Sequence, residues 1–185
     1  LKIKIGPKNC LYPMPTTVVG TMVDGRPNYI TIAHVGILDF ETVSLGSARS
    51  HYSNKGIKEN GTFSINLPSA EQVEKTDYVG IVSGKKVDKS AIFRAFYGRL
   101  GTAPMIEEFP INMECELIHT LDLPKHDIFI GRIVETYCDD SVMTDGAPDF
   151  EKLDPILYTH FDRGYWRLGD KLANAWNVGK RLEDK

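Results

Sequence analysis

Three cysteines in 185 residues, Cys10, Cys115 and Cys138, are too few and too scattered for a disulfide framework. No C-x-x-C pair is present, and an odd, dispersed set of thiols fits a reducing, cytoplasmic compartment. The five histidines are spread from His34 to His160 with no i, i+4 pair and no Cys/His quartet, so no metal site is expected. Charge of one sign is lacking too. A formal net charge of −3 offers no general pull toward nucleic acid or anionic lipid. No apolar run approaches the ~20 residues that cross a bilayer. The opening "LKIKIGPKNCLYPMP" has neither the apolar core nor the cleavage site of a secretory signal. Several catalytic signatures are missing as well. There is no G-x-G-x-x-G after a strand, no G-x-x-x-x-G-K-[ST] and no G-x-S-x-G elbow. Cys10 stands beside no base, which leaves a thiol nucleophile unsupported. Glu107-Glu108 and Asp139-Asp140 read as solvated turn carboxylates rather than a glycosidase pair.

What is present is the composition of a soluble globular chain, 42% hydrophobic and 25% charged, long enough for one sizeable core with an appended arm. "TTVVGTMV" and "PNYITIAHVGIL" flank Asp24-Gly25, which supplies the positive φ angles of a tight hairpin turn. "ETVSLGSA" reads as a third strand. "SHYSNKGIKENG" reads as a helix, with Ser50 or Ser53 as its cap and Gly61 closing it in the left-handed conformation. "TFSINLP" alternates Phe63, Ile65 and Leu67, the pattern of a half-buried strand. Residues 69 to 109 read as helical or irregular, with Val73 and Tyr78 facing inward. "INMECELIHTLDL" and "HDIFIGRIVETYC" are two further strands, joined at Pro124-Lys125; the second alternates over Ile128, Ile130, Arg132 and Val134 with a polar residue only at Arg132, and is expected to be covered on both faces for part of its length. Frequent hairpins argue against an alternating βαβ plan. The expectation is one mainly β domain over residues 1–185: a six-stranded Greek-key barrel with inserted helices and a C-terminal arm from about residue 150.

Two stretches carry binding chemistry. "SARSHYSNKGI" packs hydroxyls, an arginine and a histidine where a strand hands over to a helix. Free N–H groups and the positive end of the helix dipole favour an anion there by roughly 0.3–1 kcal/mol, and Arg49 adds a forked donor. A plain capped helix with Arg49 in solvent fits the same residues. "GKKVDKS" places Lys85, Lys86 and Lys89 together, either as a solvated basic loop or as a second arm of the anion site. Tyr158, Phe161, Tyr165, Trp166 and Trp176 cluster near the C-terminus; core packing is the default reading, and an arm over a ligand or a partner subunit the other.

The order of these segments resembles the flavin-reductase-like, FMN-binding split-barrel family, and within it the flavoredoxin-type proteins. The resemblance runs through "LYPMP", "NYITIAHVG", "RSHYSNKGIKENGTFSINLP", "SGKKVDK", "FPINMECELI" and "KHDIFIGRIV", over residues 10 to 140, with "YWRLGDKL" beyond. It implies a homodimeric six-stranded split barrel holding FMN non-covalently near the subunit interface. By position, Arg49, Ser50 and Ser53 would contact the FMN phosphate with Asn54 nearby, and Lys89 and Ser83 would reach the same region. Thr31, Ala33, His34 and Val35 would lie along the isoalloxazine, mostly through backbone groups, and Ser47 and Ala48 would touch its polar edge or the ribityl chain. His126 matches a family histidine, although Pro124 and Lys125 replace the usual glycine neighbourhood.

The resemblance also explains why no acid–base dyad is found, because the cofactor carries the redox chemistry. It implies an NAD(P)H-dependent flavin or ferric reductase, with the nicotinamide docking transiently on the flavin. The alternative is a flavoredoxin-type electron carrier reduced by a redox partner protein, and a third reading is a binding module without catalysis. No nucleic acid or membrane partner is expected.

Overall fold

The structure, a computed structural model, describes residues 1–182, without the side chain of Arg181. Strands β1 (Thr17–Val23) and β2 (Arg26–Ile32) form the expected hairpin, with Asp24 at φ 51° and Gly25 at φ 76°. Both turn residues are left-handed, as the right-handed twist of the flanking strands demands. The chain continues through β3 (Val35–Ile37), β4 (Thr42–Ala48), helix α1 (Ser53–Asn60) and β5 (Thr62–Leu67). Helix α2 (Val73–Ile81) and an irregular stretch precede the two long strands β6 (Ile111–Asp122) and β7 (His126–Cys138). A short helix α3 (Phe150–Leu153) and the small hairpin β8 (Leu157–Thr159) and β9 (Gly164–Trp166) follow.

One antiparallel sheet runs β2-β1-β5-β6-β7-β4-β3. Its two outermost strands, β2 and β3, are separated in sequence only by Ala33 and His34. The sheet must therefore curl until its edges meet, and the β3–β4 ladder runs on to that seam, where Gly46 N–H donates to His34 O at 2.7 Å. Six long strands are present as expected, and the seventh, β3, is the three-residue continuation of β2 past the seam. The result is a split barrel.

Val19, Ile30, Leu45, Ile57, Phe63, Ile65, Cys115 and Phe129 fill the barrel. Each large apolar side chain buried here contributes about 1.5–3 kcal/mol. A second cluster of Val18, Tyr29, Val79, Phe93, Ile106 and Phe109 holds α2 and the irregular stretch against the outside of the sheet. No helix among the described residues is long and apolar enough to cross a membrane.

Several local expectations are corrected. Strand β5 is buried on both faces: Ser64 and Asn66 are fully covered by the segment around Pro104–Ile106. Asn66 satisfies itself by donating to Val18 O and accepting from Asn112 and Ile106 N–H. On α2 the buried positions are Thr76 and Val79, while Tyr78 is exposed, because the covering strand β2 meets the opposite face. The expectation for β7 holds: over residues 127–131 it is covered on both faces, with Asp127, Phe129 and Gly131 buried and Ile128 and Ile130 half-buried. No serine caps α1. Tyr52 precedes it in helical conformation, and only the left-handed Gly61 at its end is as read. Of the cysteines Cys115 alone is buried, and burial pushes its thiol up to about 12. None of the five C-terminal aromatics enters the core, and Trp176 is 96% exposed.

Candidate functional site

The seam opens on a cleft of about 480 Å³, inside the usual range for small-ligand sites. One wall is the chain crossing the seam, Thr31 to His34. Gly46, Ala48 and His51 form the floor, α2 contributes Asp77 and Gly80, and Tyr158, His160 and Tyr165 roof it. Gly80 lets α2 pack closely on β2, since a methyl there would meet Thr31 Cβ at 3.0 Å. Tyr165 reaches across from β9 to donate to Asp77 Oδ1 at 2.9 Å, which ties the C-terminal hairpin to α2. Tyr12 adds a hydroxyl 2.9 Å from His34 Nε2 and a ring stacked on His160.

Four of the five histidines, His34, His51, His126 and His160, line this one cleft. Burial, followed by the charges of His126 and His160, lowers the pKa of His34. Burial, followed by His126 and Lys89, does the same for His51. In both imidazoles the neutral form is therefore favoured. The described residues contain no group of side chains spaced to hold a metal ion.

The structure separates the expected site residues into three sets. Thr31, Ala33, His34 and Ala48 line the cleft, and Val35 lies in the adjoining groove with Tyr12 and His126. Ser47, Ser53 and Asn54 are buried beneath it. Ser47 Oγ donates to Asn54 Oδ1 at 2.6 Å, Asn54 Nδ2 donates to Ala48 O, and Ser53 Oγ accepts from Asn28 at 2.7 Å. These three side chains hold the strand–helix junction in place. Arg49 and Ser50 are exposed at the junction, and Ser83 is exposed away from the cleft. Arg49 leans toward Asp122 and Asp127 at 3.6 and 3.5 Å. Asp127 is itself held below the usual carboxylate range by Lys58 at 2.8 Å and, less strongly, by Arg49 and Asn54.

At the start of α1, the N–H groups of Asn54 and Lys55 are taken by His51 O and Tyr52 O, whereas those of Ser50, Tyr52 and Ser53 bond to no backbone acceptor among the described residues. Those three donors are free for a ligand. Lys89 does not line the cleft; it lines the groove on the other side of the α1 start, with Asn28 and Tyr52. It is 3% exposed and donates to Tyr29 O at 2.8 Å and Val79 O at 2.7 Å, yet it has no carboxylate partner among the described residues. Its charge reaches His51. Burial lowers its pKa from 10.5 to about 8, and its two carbonyl acceptors act in the opposite direction. The unfolded chain thus binds the Lys89 proton more tightly than the folded one, so stability rises as pH climbs from about 8 to 10.5. Relative to Lys89→Met the gain is at most about 3 kcal/mol. Urea titrations of both proteins across that window check it, and parallel pH profiles would show the ammonium is not strained by burial.

Sequence reasoning missed Thr16, His51, Asp77, Gly80 and His160 as lining residues; Tyr158 and Tyr165 line the cleft in keeping with the second reading of the C-terminal aromatics, an arm over a ligand. Only His51, inside the hydroxyl-rich stretch, carried a local signal. The others come from three separate segments that only the curl of the sheet and the C-terminal hairpin bring together.

Fold and cleft together define a split β-barrel with a cleft along its seam. The chain belongs to the flavin reductase like domain family, whose model matches residues 9–169. The flavoredoxin of Methanosarcina acetivorans is 43% identical, with a TM-score of 0.96 over 98% of this chain and 99% of that one. The flavoredoxin of Desulfovibrio vulgaris (Miyazaki F) is 35% identical, with a TM-score of 0.90 over 97% and 100%. A Shewanella frigidimarina protein with a split barrel domain, 22% identical, shares the fold at a TM-score of 0.75 over 87% and 84%. The family and fold expected from the sequence are those found.

Proposed function

We propose that this chain is an FMN-binding flavoprotein oxidoreductase. The observation that carries the reading is the buried Lys89 ammonium, which has no carboxylate partner among the described residues, beside three N–H groups at the start of α1 that bond to no backbone acceptor there. A buried charge without an opposite partner is costly, and a phosphate dianion is the partner that would relieve it. Arg49 and the exposed Ser50 add donors from the solvent side. The seam backbone from Thr31 to Val35 would orient a planar ring, Ala48 would leave room for the polar chain, and Tyr158 and Tyr165 would shield the ring from water. When bound, FMN supplies the redox chemistry, which is why the cleft needs no nucleophile.

Two electron donors fit this site. Family membership supports NAD(P)H docking at the cleft mouth. The likeness to two flavoredoxins over nearly the whole chain supports a carrier reduced by a protein partner instead. The purified protein is expected to be yellow and to take up FMN in a titration, with Arg49→Ala weakening it about tenfold, the equivalent of ~1.4 kcal/mol. Anaerobic addition of NADH and of NADPH then separates the donors. Rapid bleaching identifies a reductase, and a flavin that stays oxidised identifies the carrier. A colourless protein that takes up no FMN overturns the reading.

The reading extends to a homodimer. Leu11, Leu123 and Ile128 line an apolar groove of about 400 Å³ with Val35 and Gly36 of β3, and Ile37, Leu38 and Phe40, which follow in sequence, are strongly exposed. Burying such a patch is the usual fate of an apolar surface of this kind. Light scattering is expected to give twice the chain mass, and Phe40→Asp is expected to shift the population to monomer. A wild-type monomer at micromolar concentration rejects the dimer.

A further inference from the structure

The roof of the cleft is attached unequally along its two edges. Strand β8 is laddered to the short segment Met14–Pro15, with Met14 opposite Tyr158 and Pro15 opposite Leu157. Beside that ladder Thr16 N–H donates to Ile156 O at 2.8 Å, and the Tyr12 ring packs on both Tyr158 and His160. Strand β9 has no such support. It pairs with β8 alone. Among the described residues its side chains make one hydrogen bond outside the hairpin, from Tyr165 Oη to Asp77 Oδ1 at 2.9 Å. Beyond β9, Arg167 pairs with Asp154, which leads into β8, so that contact closes the base of the hairpin and does not reach α2.

The hairpin is also braced within itself. Asp162 Oδ1 accepts from Thr159 Oγ1 and from Gly164 N–H at 3.2 Å, and Trp166 Nε1 donates to Thr159 Oγ1 at 2.8 Å. It is therefore a stiff flap fixed along one edge. Asp77 stands on firmer ground, on a helix that Thr76 and Val79 bury against the sheet and that Gly80 brings close to Thr31. A phenol donating to a carboxylate makes a charge-assisted bond, about twice as strong as a neutral one. Burial, followed by Asp77, pushes the Tyr165 hydroxyl above its usual range, so it stays a donor.

We propose that this flap is a gate over the cleft, with β8 as its hinge and the Tyr165–Asp77 hydrogen bond as its latch. While the latch is made, Tyr158, His160 and Tyr165 cover whatever the cleft holds. When it breaks, the β9 edge tilts away from α2 about β8, and the cleft opens between them. The latch thus sets how fast an occupant leaves. Its effect on flavin release rests on the flavin reading above; the hinge and the latch do not.

Two measurements test the gate. In the first, FMN-loaded protein is diluted rapidly and flavin release is followed by fluorescence. Tyr165→Phe, which keeps the ring and removes the hydroxyl, and Asp77→Ala are each expected to speed release about fivefold or more, the scale of one net hydrogen bond. The double variant is expected to release no faster than the faster single variant, because the same bond is lost in all three. In the second, amide hydrogen exchange is followed on the flavin-free proteins. Residues 164–166 are expected to exchange faster in both variants while β1 and β6 keep the parent's protection, which also shows that the barrel stays folded. Release from Tyr165→Phe at the parent's rate overturns the gate, and so do effects that simply add in the double variant. A parent that takes up no FMN overturns the flavin reading instead, and the gate is then judged by exchange alone. Unchanged exchange at 164–166 overturns it in either case.

Discussion

Gly56→Ala is expected to lower the stability of this protein by about 3 kcal/mol, near the upper end for overpacking, and to weaken FMN binding at least tenfold. Alanine is the better helix former by about 1 kcal/mol, so propensity alone predicts the opposite sign. Packing decides. A methyl on Gly56 would fall 2.3 Å from Met22 O, 2.8 Å from Val23 Cγ2 and 2.9 Å from Thr21 Oγ1. Met22 gives way only at a cost, because it pairs with Pro27 on β2, donates its N–H to Thr102 O at 3.3 Å and accepts from Asn60 Nδ2 at 2.7 Å. The helix must lift instead, and with it Ser53 and Asn54, which anchor the Arg49–Ser50 junction. Urea denaturation and an FMN titration check both halves. Lys55→Ala, one residue earlier on the exposed face, is the control and should move stability by under about 1 kcal/mol. An alanine variant as stable as the parent would show that α1 does not rest on β1 as tightly as described.

The second large effect belongs to Glu114, a fully buried side chain on β6. Its carboxyl accepts from Arg99 N–H at 2.9 Å, Leu100 N–H at 2.7 Å and Tyr137 Oη at 3.2 Å. It is therefore the anchor that closes the irregular stretch over the barrel. Glu114→Ala leaves two backbone donors and a hydroxyl without their acceptor and opens a cavity, at a cost of about 3 kcal/mol. Glu114→Gln keeps one acceptor oxygen and should lie between alanine and the parent. Chemical denaturation measures all three proteins. A loss under about 1 kcal/mol for alanine would mean that the 98–100 segment finds other partners and that Glu114 is not its anchor.

Neither prediction was open to sequence reasoning. Gly56 reads as an indifferent helix glycine and Glu114 as one more strand carboxylate in "NMECEL". Signals that act within a few residues were legible. Asp24-Gly25 turns the hairpin because two consecutive positive φ angles admit little else, and Gly61 ends α1 for the same reason. The α2 face was misread because its weak apolar pattern left the choice of face to whatever packs on it, and β2 chose Thr76 and Val79. β5 was read as half-exposed because Ser64 and Asn66 are polar; their burial depends on partners near residue 106, about 40 positions away.

The site divides along the same line. The seam strand, the hydroxyl-rich junction and Lys89 were legible because each is a short run whose residue types suit an anion or a flat ring. The gathering of His34, His51, His126 and His160, and the hairpin that brings Tyr158 and Tyr165 over them, were not. By itself the amino-acid sequence determined where strands turn, where helices stop, and that the chain resembles a flavin-handling barrel. Only the tertiary structure decided which polar residues are buried, which cations lack a counter-charge, and which distant rings share one cleft. Those are properties of long-range contacts, set when a curled sheet brings its two edges together, and no local pattern encodes them.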